Sequence, residues 1–289
     1  MPGEKRSGPR GKAACEEGDV TASQENALLG RLPRIERERV EQYCTPVQLA
    51  AGDVLNGDPK DSAGVWFPAG ALIAEIAEGG TRDALAVGLV GNEGMVGAAL
   101  LLGGGGVARR LLVQGAGTAL SLDAESFRRA LHDVPRLERL LRLQLHASLA
   151  TYAQTAMCAA FHQVPMRVAY WLLETHDRTP GDRFYLTHDL LSQLLGVRRS
   201  GVSAAAGTLQ QQGWITYTRG RVLVLDRKAL ERASCTCHEA ARAALAPLLE
   251  AEAGHHIGDE IGARRLARAA EPRPRQDGDE APRVATHRR

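Results

Sequence analysis

A chain of 289 residues has room for two domains and a sizeable core. Its 36 Lys and Arg stand against 34 Asp and Glu, a formal net charge of +2, which excludes a uniformly basic nucleic-acid binder and requires any cationic surface to be local. There is no apolar run long enough to span a bilayer, no apolar core behind the N-terminal MPGEKRSGPRGKAACEEGD to make a secretory signal, and five scattered cysteines form no disulfide framework, so a reducing, cytoplasmic setting is expected.

Residues 1–22 are rich in Gly, Pro and mixed charge and read as a disordered tail. From Asn26 to Tyr43 a short helical region carries Leu28, Leu29, Leu32, Ile35 and Val40, with Pro33 separating two pieces. The pattern then changes. Short β-prone runs at 47–49, 65–67, 72–76, 84–90, 111–113 and 119–122 alternate with turns marked by Asp53, Gly57, Gly70, Gly91, Gly94 and Gly115. Many short strands at regular spacing predict a sandwich or barrel, of jelly-roll form, over 23–123. From 124 to 163 one long amphipathic helix is predicted, with Leu137, Leu141, Leu145, Leu149, Tyr152 and Ala156 along one stripe. Such a stripe can be buried on its own domain or on a second copy of the helix, and its length favours the second copy.

Pro165 marks the next boundary, and 166–176 is a further helix. The stretch that follows, THDLLSQLLGVRRSGVSAAAGTLQQQGWITYTRGRVLVLD from Thr187 to Asp226, reads as helix, tight turn, second helix and hairpin. Thr187 is a good N-cap, and Leu190, Leu191, Leu194 and Leu195 form one apolar stripe. Gly196 ends that helix, since glycine reaches the left-handed conformation at little cost. The second helix runs from about Arg198 to Gln211. Val202, Ala205, Ala206 and Leu209 face inward, while Arg198, Arg199, Ser200 and Ser203 face outward. Two β-prone runs around Arg219-Gly220-Arg221 give a hairpin with a basic tip. The whole is a winged helix-turn-helix over 164–238, a module that enters the major groove of DNA. Residues 239–289 read as an Ala-rich helix and then a disordered tail. The fold class is therefore α+β: roll, long helix, winged helix-turn-helix.

This order of parts resembles the Crp/Fnr family of bacterial transcription regulators. HQVPMRVAYWLLETHDR looks like the family's approach to its DNA-binding domain, and the Thr187–Asp226 stretch looks like its helix-turn-helix and wing. VWFPAGALIA and VGLVGNEGMVG resemble strands and the Gly-Glu turn of its cyclic-nucleotide cassette. The resemblance implies a homodimer on a double-stranded DNA operator, leaves RNA polymerase open as a further partner, and implies neither membrane association nor enzymatic activity. It places Thr187 at a phosphate-contacting position and Arg199 at a guanine-reading one, where an arginine can donate two bonds to O6 and N7. The next base-reading position is Ser200 here and a later one is Ala204, which predicts an altered operator. Arg198, Arg219 and Arg221 are expected on phosphates, and Ser200 and Ser203 at base edges. Glu93 falls where the family's ribose-binding Glu stands and Arg109 where its phosphate-binding Arg stands. The Gly-rich stretch 98–107 between them departs from the compact phosphate turn, so no cofactor is assigned and a cyclic nucleotide stays open as effector.

Other constellations carry less. Cys235-x-Cys237-His238 offers three ligands for a soft metal on a tight loop, without a second pair elsewhere, so no metal site is assigned. One N-terminal cysteine, Cys15, is too few for the iron–sulfur branch of the family. Asp53, Asp58 and Asp61 lie in turns that favour Asp, and His162 closes a helix; no catalytic residue is assigned. A cupin-type enzyme needs clustered His, and 47–122 contains none. The remaining alternative is a ligand- or redox-sensing roll whose helix-turn-helix contacts protein.

Overall fold

The computed structural model describes residues 25–56, 64–79, 83–104 and 109–250. The expected tails, with Cys15 and the His255-His256 pair, lie outside these residues, as do Asp58 and Asp61. A short 3-10 turn at Leu29–Arg31 and helix α1 (Arg34–Glu41) open the chain, separated at Pro33 as its fixed φ predicts. Six strands follow: β1 (Thr45–Leu49), β2 (Gly64–Pro68), β3 (Leu72–Glu78), β4 (Ala84–Val90), β5 (Arg109–Gly115) and β6 (Gly117–Asp123). They pair antiparallel as two three-stranded sheets, β1-β6-β2 and β4-β3-β5. Ile73, Val90, Val96, Leu111 and Val113 form part of one core cluster of the roll.

β3 is buried at five successive positions, Leu72 to Ile76, where a half-exposed strand would alternate. The reason is a second core. Leu72, Ala74, Ile76, Ala86 and Leu89 cluster with apolar residues of the C-terminal half. The chain is thus α+β, with the roll followed by helices and a helix-turn-helix.

The single helix expected over 124–163 is two. α2 (Ala124–Asp133) is N-capped by Asp123, whose Oδ1 accepts from the amides of Glu125 and Ser126 at 2.8 and 2.9 Å. α3 (Pro135–Phe161) begins at Pro135, and Val134 between them is extended at φ −131°, ψ 79°. Proline at a helix start needs no amide partner and steers the residue before it away from helix, so the break is a property of the Val134-Pro135 pair. The expected stripe is also only partly covered: Leu137 and Leu141 are buried, but Leu149 is 58% exposed.

α4 (Val164–Asp177) carries Pro165 in its first turn and is seated on the roll by a buried polar chain. Trp171 Nε1 donates to Gln114 Oε1 on β5 at 3.0 Å, and Gln114 Nε2 donates to Thr175 Oγ1 at 3.0 Å. Beyond it come β7 (Arg183–Tyr185), α5 (His188–Leu195), α6 (Arg199–Gln211), β8 (Ile215–Thr218) and β9 (Arg221–Val224), with the strands ordered β7-β9-β8. α7 (Arg227–Ala233) is capped by Asp226, and α8 (Cys237–Glu250) packs along α3. Among the described residues no helix is long and apolar enough to cross a membrane.

Candidate nucleic-acid interface

The α5-turn-α6 unit is shaped by local chemistry. Thr187 Oγ1 accepts from the Leu190 amide at 3.1 Å and caps α5. Gly196 ends it in the left-handed region at φ 60°. α6 then presents two faces. Val202, Ala205, Ala206 and Leu209 are buried, whereas Arg199, Ser200, Ser203 and Ala204 are exposed. The first turn of α6 has no side-chain cap, which leaves its amides facing outward at the positive end of the helix dipole. Between β8 and β9 the two-residue loop Arg219-Gly220 has φ 51° and 82°, both positive, as a type I′ hairpin requires. Arg219 and Arg221 are exposed on either side of Gly220.

These pieces touch. The Leu186 amide donates to the Gly220 carbonyl at 2.7 Å. A Cβ on Gly220 would come within 2.8 Å of the Tyr185 ring and 3.1 Å of Thr187 Cγ2, so only glycine lets the hairpin sit down on the start of α5. His188 Nδ1 is 3.0 Å from Ser203 Oγ, and its ring lies 4.3 Å from that of Tyr217. Burial and the nearby Arg199 guanidinium hold the His188 imidazole below its usual pKa. Arg199 Nε pairs with Asp189 Oδ1 at 3.0 Å, both side chains about two-thirds exposed. Thr187, Arg199, Ser203 and the hairpin tip are thereby joined on one surface. Arg198 stands apart from it. It is exposed at the N-cap of α6 and lines a cleft of about 750 Å³ against the β3–β4 hairpin. Sequence patterning singled out neither His188 nor Tyr217; Tyr217's place on β8, facing α5, was the available signal.

The two cassette residues have other partners. Glu93 Oε1 accepts from Arg178 Nε at 2.7 Å, and Arg178 Nη1 donates to Glu174 Oε2 at 2.8 Å. Burial alone would lower the Arg178 pKa, but the carboxylates of Glu93 and Glu174 outweigh it and keep the guanidinium charged. Gly91 is required beside this pair, because a Cβ there would lie 2.8 Å from Glu93 Oε2 and 3.2 Å from Arg178 Cβ. Arg109 lies 4.5 Å from the centre of the Tyr152 ring and 4.0 Å from Glu75 Oε1, and its Nε is buried without a hydrogen-bond partner. Tyr152 donates to Glu75 Oε2 at 2.5 Å. Between these groups Gln144 of α3 reaches in and donates to the Met95 carbonyl at 2.6 Å. The space left, lined by Glu75, Glu93, Gln144 and Tyr152, is about 30 Å³. That holds about one water, while Glu93 also borders a wider cleft of about 1070 Å³ together with Glu174 and Arg178.

Comparison with known proteins now adds to this geometry. Residues 166–233 match the Crp-like helix-turn-helix domain family, and this segment is such a domain. The CRP-like cAMP-activated global transcriptional regulator of Mycobacterium tuberculosis is 33% identical over 122 residues, covering 39% of this chain and 54% of that protein. The chain therefore matches about half the length of its curated relatives. Among solved structures, a putative Crp/Fnr-family transcriptional regulator from Eubacterium rectale superposes with a TM-score of 0.56 at 14% identity, covering 73% of this chain and 97% of that one. The c-di-GMP responsive global regulator CLP of Xanthomonas campestris gives 0.54 at 18% identity, covering 66% and 99%. At these identities the superpositions establish the fold, which is that of Crp/Fnr-family regulators.

Proposed function

We propose that the protein is a sequence-specific DNA-binding transcriptional regulator that acts as a homodimer, with α6 in the major groove. One observation carries the reading: α6 exposes Arg199, Ser200 and Ser203 at its uncapped N-terminal end while burying its other face. Arg199 reads a base edge, with Ser200 and Ser203 beside it. Thr187, Arg219 and Arg221 meet phosphates, as does Arg198 once the cleft beside the β3–β4 hairpin admits DNA. The exposed ion pair of Arg199 with Asp189 supports this, since such a pair contributes at most about 1 kcal/mol and is readily exchanged for guanine.

The dimer reading rests on α3. Leu149, Ala153, Ala156 and Ala160 are exposed at steps of four, three and four, with Met157 and Phe161 beside them at 44% and 77% exposure. That is a heptad seam with small residues, suited to close approach of a second α3. A two-fold pair would set two α6 helices on half-sites about one helical turn apart. The division into roll, connecting helices and DNA-binding segment follows the same reading, as does a cytoplasmic location beside the genome.

Selection of bound fragments from a random double-stranded pool tests this. Recovery of a two-fold symmetric site, bound with an affinity that falls steeply with salt, is the expected result. Binding without sequence preference, or a monomer at the concentrations used, would overturn it.

A further inference from the structure

Cys158 and His162 lie one turn apart at the end of α3, and Cys235 and Cys237 lie in the turn from α7 into α8. In the fold they meet. The ligand atoms of all four side chains lie within 4.8 Å of one another. Cys158 Sγ is 3.5 Å from Cys235 Sγ, and Cys237 Sγ is 3.3 Å from His162 Nδ1. The three cysteines are buried and free of disulfides. Neither the α6 surface nor the cassette uses any of them.

We propose that Cys158, His162, Cys235 and Cys237 form a closed Cys3His site for a zinc ion that fastens the C-terminal helix to the end of α3. Zinc takes four such donors at about 2.3 Å for sulfur and about 2.0–2.1 Å for nitrogen, which sets tetrahedral neighbours roughly 3.5–3.8 Å apart. The Cys158–Cys235 and Cys237–His162 separations of 3.5 and 3.3 Å are at or just below that range, and the remaining ones, all within 4.8 Å, meet it after adjustments of about 1 Å or less. Three thiolates and an imidazole suit zinc over magnesium or calcium, which prefer oxygen. Four protein donors leave no open position, so the site is structural. A supporting shell is in place as well. Gln154 Nε2 donates to Cys237 Sγ at 3.0 Å, a bond that favours the thiolate and fixes its direction. Next to Cys237, His238 Nε2 pairs with Asp177 Oδ2 at 2.8 Å, and Asp177 Oδ1 pairs with Arg227 at 2.6 Å, which holds the ligand-bearing turn against α4. The two ligand pairs come from segments far apart in the chain, so the ion closes a long loop.

The test uses the full chain, purified reduced and without chelator. Elemental analysis is expected to find about one zinc per chain. Cobalt added to the demetallated chain should give the intense visible bands and thiolate charge-transfer absorption of a tetrahedral sulfur site. Cys158→Ser and Cys235→Ser should each weaken zinc binding at least about tenfold against a competing chelator. Cys44→Ser, and His255→Ala with His256→Ala, should leave it unchanged. Because losing a buried cysteine can unfold the chain, circular dichroism accompanies each variant, and the cobalt spectrum of the unaltered chain stands by itself. Absence of zinc with all thiols titrating free, iron in its place, a Cys158–Cys235 disulfide in the isolated protein, a weak octahedral cobalt spectrum, or equal loss of zinc in Cys44→Ser would each overturn the assignment.

Discussion

Arg199 on α6 and Arg178 after α4 each pair with a carboxylate, under opposite conditions. Arg199 meets Asp189 with both side chains about two-thirds exposed. Arg178 meets Glu93 and Glu174 with 9%, 16% and 4% of their side chains exposed. An exposed pair can exchange its partner for DNA at little cost. A buried pair does so only at a cost, because freeing Glu93 for a ligand leaves the largely buried Arg178 charge short of a partner. The output surface is thus poised to change partners, while the roll spends its cassette glutamate on holding α4. On the proposed reading the α6 surface is kept open for DNA, whereas the Glu93 turn is part of the frame.

The comparison can be broken at its strongest point first. Arg178→Ala is expected to cost about 3–5 kcal/mol in denaturant-induced unfolding, since it strands two buried carboxylates. A loss under about 1 kcal/mol would show that the seam is not fixed and that Glu93 is free to serve a ligand. Tyr152→Phe comes next, at about 1.5–3 kcal/mol, because it removes the hydroxyl that donates to Glu75. Burial pushes the Glu75 carboxyl up, and Tyr152 and Arg109 pull it back only in part. The unfolded chain therefore ionises at Glu75 before the folded one does. Stability should fall as pH rises from about 4.5 toward the folded value and then level off, and Glu75→Gln should flatten that segment of a stability–pH curve.

Smaller effects sharpen the other side. Arg199→Ala should lose about 1–3 kcal/mol on the selected site and relax one base preference, while unfolding stability shifts by no more than about 0.5 kcal/mol. Equal losses on selected and random DNA would remove it from the base edges. Arg221→Ala should weaken binding to all sequences alike and lower the salt slope by about one unit. An unchanged slope would take the hairpin off the phosphates.

What could be read from the sequence follows the range of each interaction. The six strands and the α5-turn-α6 unit came out within a residue or two. Thr187, Gly196 and the Arg219-Gly220 turn act on their immediate neighbours, and the leucine stripe of α5 repeats every turn. Pro135 was as visible as these, yet the apolar spacing on both sides of it suggested one helix where there are two. Contacts between distant residues left no such trace. Nothing near Glu93 announces Arg178, and the Cys235-x-Cys237 pair points nowhere toward Cys158 and His162. α8 was expected as a helix, but its seat along α3 depends on surfaces that meet only in the folded chain.

The exposed face of α6 has one more consequence. Ser200, Ser203 and Ala204 are exposed, outside the buried set Val202, Ala205, Ala206 and Leu209. Substitutions at such surface positions usually move stability by no more than about 0.5 kcal/mol. With α6 in the major groove as proposed, the vocabulary of recognised sites can be rewritten at 200 and 204 without a new scaffold, so that sister proteins with the same backbone answer to different promoters.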